Sequence, residues 1–210
     1  MAELTFYTNP QSRGRIVRWM LEEVGAPYET VILDYDSTMK SPEFLAINPM
    51  GKVPALSHGD VVVTECAAIC AYLADAFPAA GLAPPPAERG DYYRWMFFGA
   101  GPFEAAVTAR GHGLEPPAEK RRSIGFGSVD LAFDTMEKAL AGRTYIAGDR
   151  FSAADVIVGS QVHFGRMFDI VPARPAFDEY VARLAEREAF VRATAMDDEA
   201  AAAAAAAASG

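Results

Sequence analysis

The sequence predicts an α/β layer followed by an all-helical half, and three observations carry that prediction. Strand-like and helix-like segments alternate over the first third of the chain, three consecutive prolines stand at 84 to 86, and the long apolar patterns beyond them repeat at helical spacing. The first half reads β-α-β, an irregular crossover, then β-β-α, which makes a layer of about 75 to 80 residues, an ordinary domain size. Prolines 84 to 86 cannot continue a helix, so "FPAAGLAPPPAERG" is a semi-rigid connection. The predicted division is 1–78 for the α/β domain, 79–87 for the linker, 88–199 for the helical domain and 200–210 for an alanine-rich tail.

"ELTFY" alternates as a short strand does, and "RGRIVRWMLEEVG" puts Ile16, Val17, Met20, Leu21 and Val24 on one helical face. Gly25 and Pro27 stop that helix. "YETVILD" is apolar and β-branched enough for a second strand, and a helical connection makes the pair parallel. A short element follows near "SPEFLAI". "VPALSHGDVVVT" is a hairpin turning at His58 to Asp60, and "ECAAICAYLADAF" is a helix.

In the second half, "YYRWMFFGAGPFEAAVTARG" is a long helix bent near Pro102. "SVDLAFDTMEKALAG" carries Val129, Ala132, Phe133, Met136 and Leu140 at helical spacing, with Gly125 and Gly127 weakening its start. "FSAADVIVG" is a helix-start signal: Ser152 caps, Asp155 answers three residues on, and Phe151 and Val156 occupy the staple positions. The closing alanine run has no polar chemistry to offer.

A net charge of -9, from 19 Lys and Arg against 28 Asp and Glu, opposes attraction to nucleic acid or anionic lipid. No apolar run approaches the ~20 residues of a membrane-spanning helix, and the first residues lack a basic and apolar leader. The expectation is a cytoplasmic protein with small-molecule or protein partners. Cys66 and Cys70, four apart on one helix, make no ordinary metal site, and no metal is expected. His58 and His112 stand near glycines in loops and need no role.

"NPMGKVPAL", then "TEC", then "FSAADVIVG", in that order and around a proline linker, resemble the soluble glutathione transferase family from residue 3 to about 195. The resemblance implies a thioredoxin-like α/β domain ahead of the helical one, glutathione as co-substrate, an electrophilic small molecule as the second partner, and a homodimer. It implies that Val53 offers its backbone N–H and C=O to the cysteinyl part of glutathione, strand to strand, beside a cis Pro54. It implies that Glu65 and the N–H of the next residue hold the γ-glutamyl end, where a helix start favours a carboxylate. Cys66 stands where the family most often has serine, and a thiol donates weakly, so binding is expected to weaken rather than vanish. Lys52 is placed to meet the glycyl carboxylate, or is simply a solvated surface lysine.

The chemistry needs a donor that turns a thiol of pKa about 8.5–9 into thiolate at neutral pH. Lowering that pKa by two units takes about 2.7 kcal/mol, and one donor to a charged sulfur supplies about 1.5–3 kcal/mol. By resemblance the donor lies in "FYTNPQSRGR". Ser12 is the first candidate, like the serine of serine-type bacterial members, although the same side chain is a natural helix cap. Asn9 offers an amide from nearly the same place, and Tyr7 matches other classes by type. This loop holds no cysteine, so cysteine-type and dithiol chemistry have no residue to use.

The electrophile is expected between the domains, against Phe98, Phe103, Phe164, Met167 and Phe168; aromatic residues at such spacing equally read as core. No "SSCSWRVR"-like run occurs, which argues against the maleylacetoacetate isomerase branch. The reading is therefore a glutathione transferase. A glutathione-dependent disulfide reductase or peroxidase, and a non-catalytic protein-binding module on the same fold, are the alternatives.

Overall fold

The structure, a computed structural model, describes residues 3–208. Two compact units emerge: one holds residues up to Ala80 together with those from Arg187 onward, the other Gly81–Glu186.

The first unit is built on a four-stranded sheet of order β2-β1-β3-β4, from β1 (Leu4–Thr8), β2 (Glu29–Ile32), β3 (Ala55–His58) and β4 (Val61–Thr64). Strands β1 and β2 are parallel, as a helical crossover requires, and β3 is antiparallel to both of its neighbours. Alternation along β1 buries Leu4, Phe6 and Thr8. Helix α1 (Gly14–Val24) buries Ile16, Val17, Met20 and Leu21 and packs against α3 (Cys66–Ala76), which buries Ile69, Cys70 and Leu73. Gly25 ends α1 in the left-handed region at φ 70°, its N–H donating to Leu21 O. Tyr7 belongs to a separate cluster with Leu33, Met39, Phe44 and Ala55, supported by the short helix α2 (Pro42–Ile47).

In the second unit, α4 (Arg89–Phe98) passes into α5 (Glu104–Gly111) through a π-helical turn at Gly99–Phe103. The expected bend lies there because Pro102 has no N–H to donate and its ring crowds the preceding turn. Helix α6 (Val129–Leu140) starts beyond the two glycines: Gly127 takes φ 68°, and Ser128 Oγ accepts from Leu131 N at 3.2 Å.

Helix α7 (Ala153–Met167) is buried without interruption from Ala153 to Val162. Its capping box forms, and the Asp155 carboxylate also accepts from Ile146 N at 2.8 Å and from the Tyr180 hydroxyl at 2.7 Å, tying in α8 (Pro175–Ala185). Burial pushes the Asp155 carboxyl above its ordinary range, opposed by those donors.

The stretch after Arg187 forms α9 (Glu188–Ala208), and the alanine run continues it. The sequence pattern puts much of this stretch in the helical domain, whereas α9 packs on α1 of the α/β unit. Aromatic and charged groups explain the attachment. Trp19 meets Phe190 edge-on at 5.0 Å, and Arg187 reaches Glu23 with two bonds of 2.6 and 2.7 Å. Arg18 Nε donates to Asp197 Oδ1 at 2.8 Å, with the two side chains only 3% and 1% exposed. Burial pushes the Asp197 carboxyl up and the Arg18 guanidinium pulls it back. Removing one member of a buried pair strands the other, so Asp197→Ala is expected to cost about 3–5 kcal/mol. Asp198, 62% exposed in its pair with Arg15, is expected to cost at most about 1 kcal/mol when changed to Ala. Urea unfolding of the two variants checks the contrast.

Candidate active site

The strand registers gather the predicted residues of the α/β unit at one end of its sheet. In the β1/β3 ladder the last pair is Tyr7 with Ala55, and in the β3/β4 ladder Ala55 faces Thr64. One step further along each chain lie Thr8, Pro54 and Glu65, and then Asn9, Val53 and Cys66. The Val53–Pro54 peptide is cis, and Val53 lies outside both ladders. The backbone of Val53 is therefore placed where an extended ligand continues the sheet.

A loop brace holds Val53 there. Asn48, buried, donates through Nδ2 to Lys52 O at 2.7 Å and accepts from Met50 N at 3.1 Å, while Lys40 Nζ donates to Gly51 O at 2.6 Å. Gly51 takes φ 58°, and a Cβ there would lie 2.9 Å from Met39 O, so only glycine fits. Lys52 itself is exposed.

Glu65 is the N-cap of α3, with φ 69° and ψ 128°, an unusual and strained conformation for a side-chain-bearing residue. Its side chain is exposed and makes no cap to its own helix. The first N–H groups of α3 lie beyond the reach of its own carbonyls, and they and the helix dipole suit an anion. Cys66 begins that helix and its thiol donates to Arg13 O at 3.7 Å, which brings the helix start against the loop that carries Ser12. Cys70 is buried, and burial pushes its thiol well up, so it stays protonated and inert.

The loop from β1 to α1 separates the three donor candidates. Asn9 is 8% exposed; its Nδ2 donates to Leu33 O at 2.9 Å and its Oδ1 accepts from Gln11 N at 2.9 Å, so both ends of the amide brace the loop. Ser12 Oγ donates to Asn9 O at 2.6 Å and accepts from Gly14 N at 2.9 Å, the first residue of α1. Tyr7 points its ring to Phe44, 5.8 Å away. Gly14 is close-packed: a Cβ there would overlap Thr8 Oγ1.

The five apolar residues expected around the electrophile do not behave alike. Phe103 is fully buried, 5.5 Å from the Phe133 ring and 6.4 Å from that of Phe177, so it belongs to the core of the helical unit and offers nothing to a ligand. Phe98 is half-buried against Trp95, Phe164 is half-buried beside His163, and Met167 and Phe168 are exposed. An open groove of about 870 Å³ in this unit is lined by none of the five, but by residues of the π turn, α5 and the stretch 113–126, including Gly101, Glu104 and Leu114. Helical periodicity finds apolar faces; it does not separate a face that packs from one that stays open.

A sheet end that presents an unpaired strand, a cis proline and a helix start, joined in sequence to a helical unit, defines a thioredoxin-like protein with a helical C-terminal domain. Comparisons with known proteins make this specific. The family description "Glutathione S-transferase, N-terminal domain" matches residues 2–75, and "Glutathione S-transferase, C-terminal domain" matches residues 101–188. Glutathione S-transferase 3 of Zea mays is 29% identical, covering 88% of this chain and 96% of its own. A glutathione transferase structure from Methylococcus capsulatus superposes with a TM-score of 0.77 at 28% identity, over 93% of this chain and 98% of that one. A sphingomonad glutathione S-transferase, solved in complex with glutathione, gives 0.74 at 29% identity, over 92% and 98%. The chain belongs to the glutathione S-transferase family and is an enzyme of that class.

The different hydrogen bonds of Asn9 and Ser12 predict different costs of removal. Asn9→Ala strands the buried Leu33 carbonyl and loosens the loop, so it is expected to destabilise by about 2–3 kcal/mol. Ser12→Ala removes a cap-like acceptor and is expected to cost about 1 kcal/mol. Urea midpoints of the two variants give the order.

Proposed function

We propose that this chain activates glutathione as a thiolate and transfers it to a small, mostly apolar electrophile, acting as a serine-type member of its family. The observation that carries this reading is the register of the sheet, which puts Val53 with its cis proline, the Glu65 helix start and the Ser12 loop at one end. The sphingomonad relative, solved with glutathione, supports the same ligand here. In this reading the Val53 backbone pairs with the cysteinyl unit, and Glu65 with the Cys66 N–H holds the γ-glutamyl end. Lys52 meets the glycyl carboxylate. The reading also includes a cytoplasmic homodimer acting in detoxification, and a second-substrate region drawing on Phe98, Phe164, Met167 and Phe168, without Phe103.

Ser12 is assigned the donor role because its hydroxyl changes partners at little cost. Its proton rests on Asn9 O, a neutral carbonyl, while Gly14 N–H donates into the same oxygen and polarises it. A thiolate is the stronger acceptor, since charge-assisted hydrogen bonds are about twice as strong as neutral ones. Asn9 has less to offer: one amide hydrogen is held by Leu33 O, and turning the group would release the loop.

Glutathione is expected to bind in calorimetry, with Glu65→Ala weakening it at least tenfold, or about 1.4 kcal/mol. No binding by the unaltered protein sinks the reading. A donor acts on the charged sulfur alone, so Ser12→Ala is expected to move the pH profile of conjugation up by about one to two units with little change in glutathione affinity. An unmoved profile in Ser12→Ala beside a moved one in Asn9→Ala transfers the role to Asn9.

A further inference from the structure

The loop that carries Ser12 is tied to the last helix of the chain, within the same compact unit. Ser12 N donates to Asn9 O at 3.0 Å, which closes a tight turn over residues 9–12 with Pro10 and Gln11 at its centre. The two central carbonyls of such a turn have no partner inside it, and here each is met by a side chain. The Tyr35 hydroxyl donates to Gln11 O at 3.1 Å, and Arg15 Nε donates to Pro10 O at 2.6 Å. Tyr35 is 47% exposed, so water can replace it. Pro10 is buried, so the turn depends on the Arg15 bond: without it a buried carbonyl is stranded, or the peptide after Pro10 turns away.

Arg15 is held from its other side. Its Nη2 donates to Asp198 Oδ1 at 2.7 Å, and Asp198 stands on α9. A guanidinium is planar and rigid, so a carboxylate that fixes the terminal nitrogen also fixes the direction of Nε. Three residues on, Arg18 is paired with Asp197, the neighbour of Asp198, in the buried contact described above. Adjacent aspartates on α9 thus meet arginines one turn apart on α1. The buried pair sets where α9 lies, and the second pair, with side chains 24% and 62% exposed, carries that position to the loop. Ser12 Oγ donates to Asn9 O and accepts from Gly14 N, so a change in the turn moves the hydroxyl with it.

We infer that Arg15, aligned by Asp198, is a positioning residue: it holds the turn in the form that aims the Ser12 hydroxyl at the glutathione sulfur, and so makes α9 part of thiolate stabilisation. The inference rests on the Ser12 assignment in the transferase reading above and adds the groups that aim that hydroxyl. Neither Arg15 nor Asp198 is assigned a contact with the sulfur. A direct charge effect of Asp198 would have the opposite sign. Removing a nearby anion favours the thiolate and lowers the thiol pKa, whereas misaiming the donor raises it.

The test titrates the glutathione complex of the full chain, following the ultraviolet absorbance of the thiolate, with glutathione affinity measured by calorimetry. Asp198→Ala and Arg15→Lys, which keeps the charge but not the planar fork, are each expected to raise the thiol pKa by about half a unit or more, with affinity within about twofold. Asp198→Asn keeps an acceptor oxygen and is expected to stay within about 0.2 unit of the unaltered chain. In a Ser12→Ala background, Asp198→Ala is expected to move the titration no further, since no hydroxyl is left to aim. A pKa that stays or falls in Asp198→Ala, one unmoved in Arg15→Lys, a rise in Asp198→Asn equal to that in Asp198→Ala, or the same rise with and without Ser12 overturns the inference while Ser12→Ala alone still shifts the titration. No shift in Ser12→Ala, or no glutathione binding by the unaltered chain, instead overturns the reading beneath, and the inference with it.

Discussion

The site of the α/β unit depends on where the pairing of β1 and β3 stops. Beyond Tyr7 and Ala55 the two chains no longer pair with each other, and the next residues are Pro54, which has no N–H, and Val53, whose backbone is left for something else. A ladder two pairs longer would consume that backbone. The glutathione reading needs this one unfilled place at the sheet end, and the surrounding hydrogen bonds serve to keep it in position.

Two sets of braces do so from opposite sides. Asn48 and Lys40 hold the loop before Val53, acting on the carbonyls of Lys52 and Gly51. Asn9 holds the loop after β1, acting on Leu33 O at the far side of β2. Each brace is a side chain bonded to backbone, so it fixes position without adding charge near the place where a thiolate would form. Glu65 and Lys52, which the glutathione reading assigns to the charged ends of the ligand, are by contrast exposed.

The element order was legible in the sequence because each element satisfies its own period and is closed by a residue with one meaning. Gly25 at φ 70°, Pro102 in the π turn and the Ser152–Asp155 box act as the sequence says they must. The strand start after Pro54 and the helix opening after Glu65 were legible too, since a proline at a strand start and a helix opening are local signals. Asn48 and Lys40 were not, because a polar residue that braces a backbone and one that faces water look alike until the loop is folded. The attachment of α9 was hidden for a related reason. Arg18 and Asp197 are 179 residues apart, and periodicity within either helix cannot show that the two charges meet in a buried place.

Phe103 shows why the second half of the chain is harder to read than the first. In the α/β unit the glutathione reading uses backbone, and backbone is governed by register, which sequence pattern constrains strongly. In the helical unit that reading uses side-chain surface, and the same apolar residue serves core or cleft according to what lies opposite it. Phe103 faces Phe133 and Phe177 and is sealed; Gly101, two residues earlier on the same turn, faces open space. The bend at Pro102 therefore does more than join two helices: by shifting the helical phase it turns one face of the segment into core and the next into a groove.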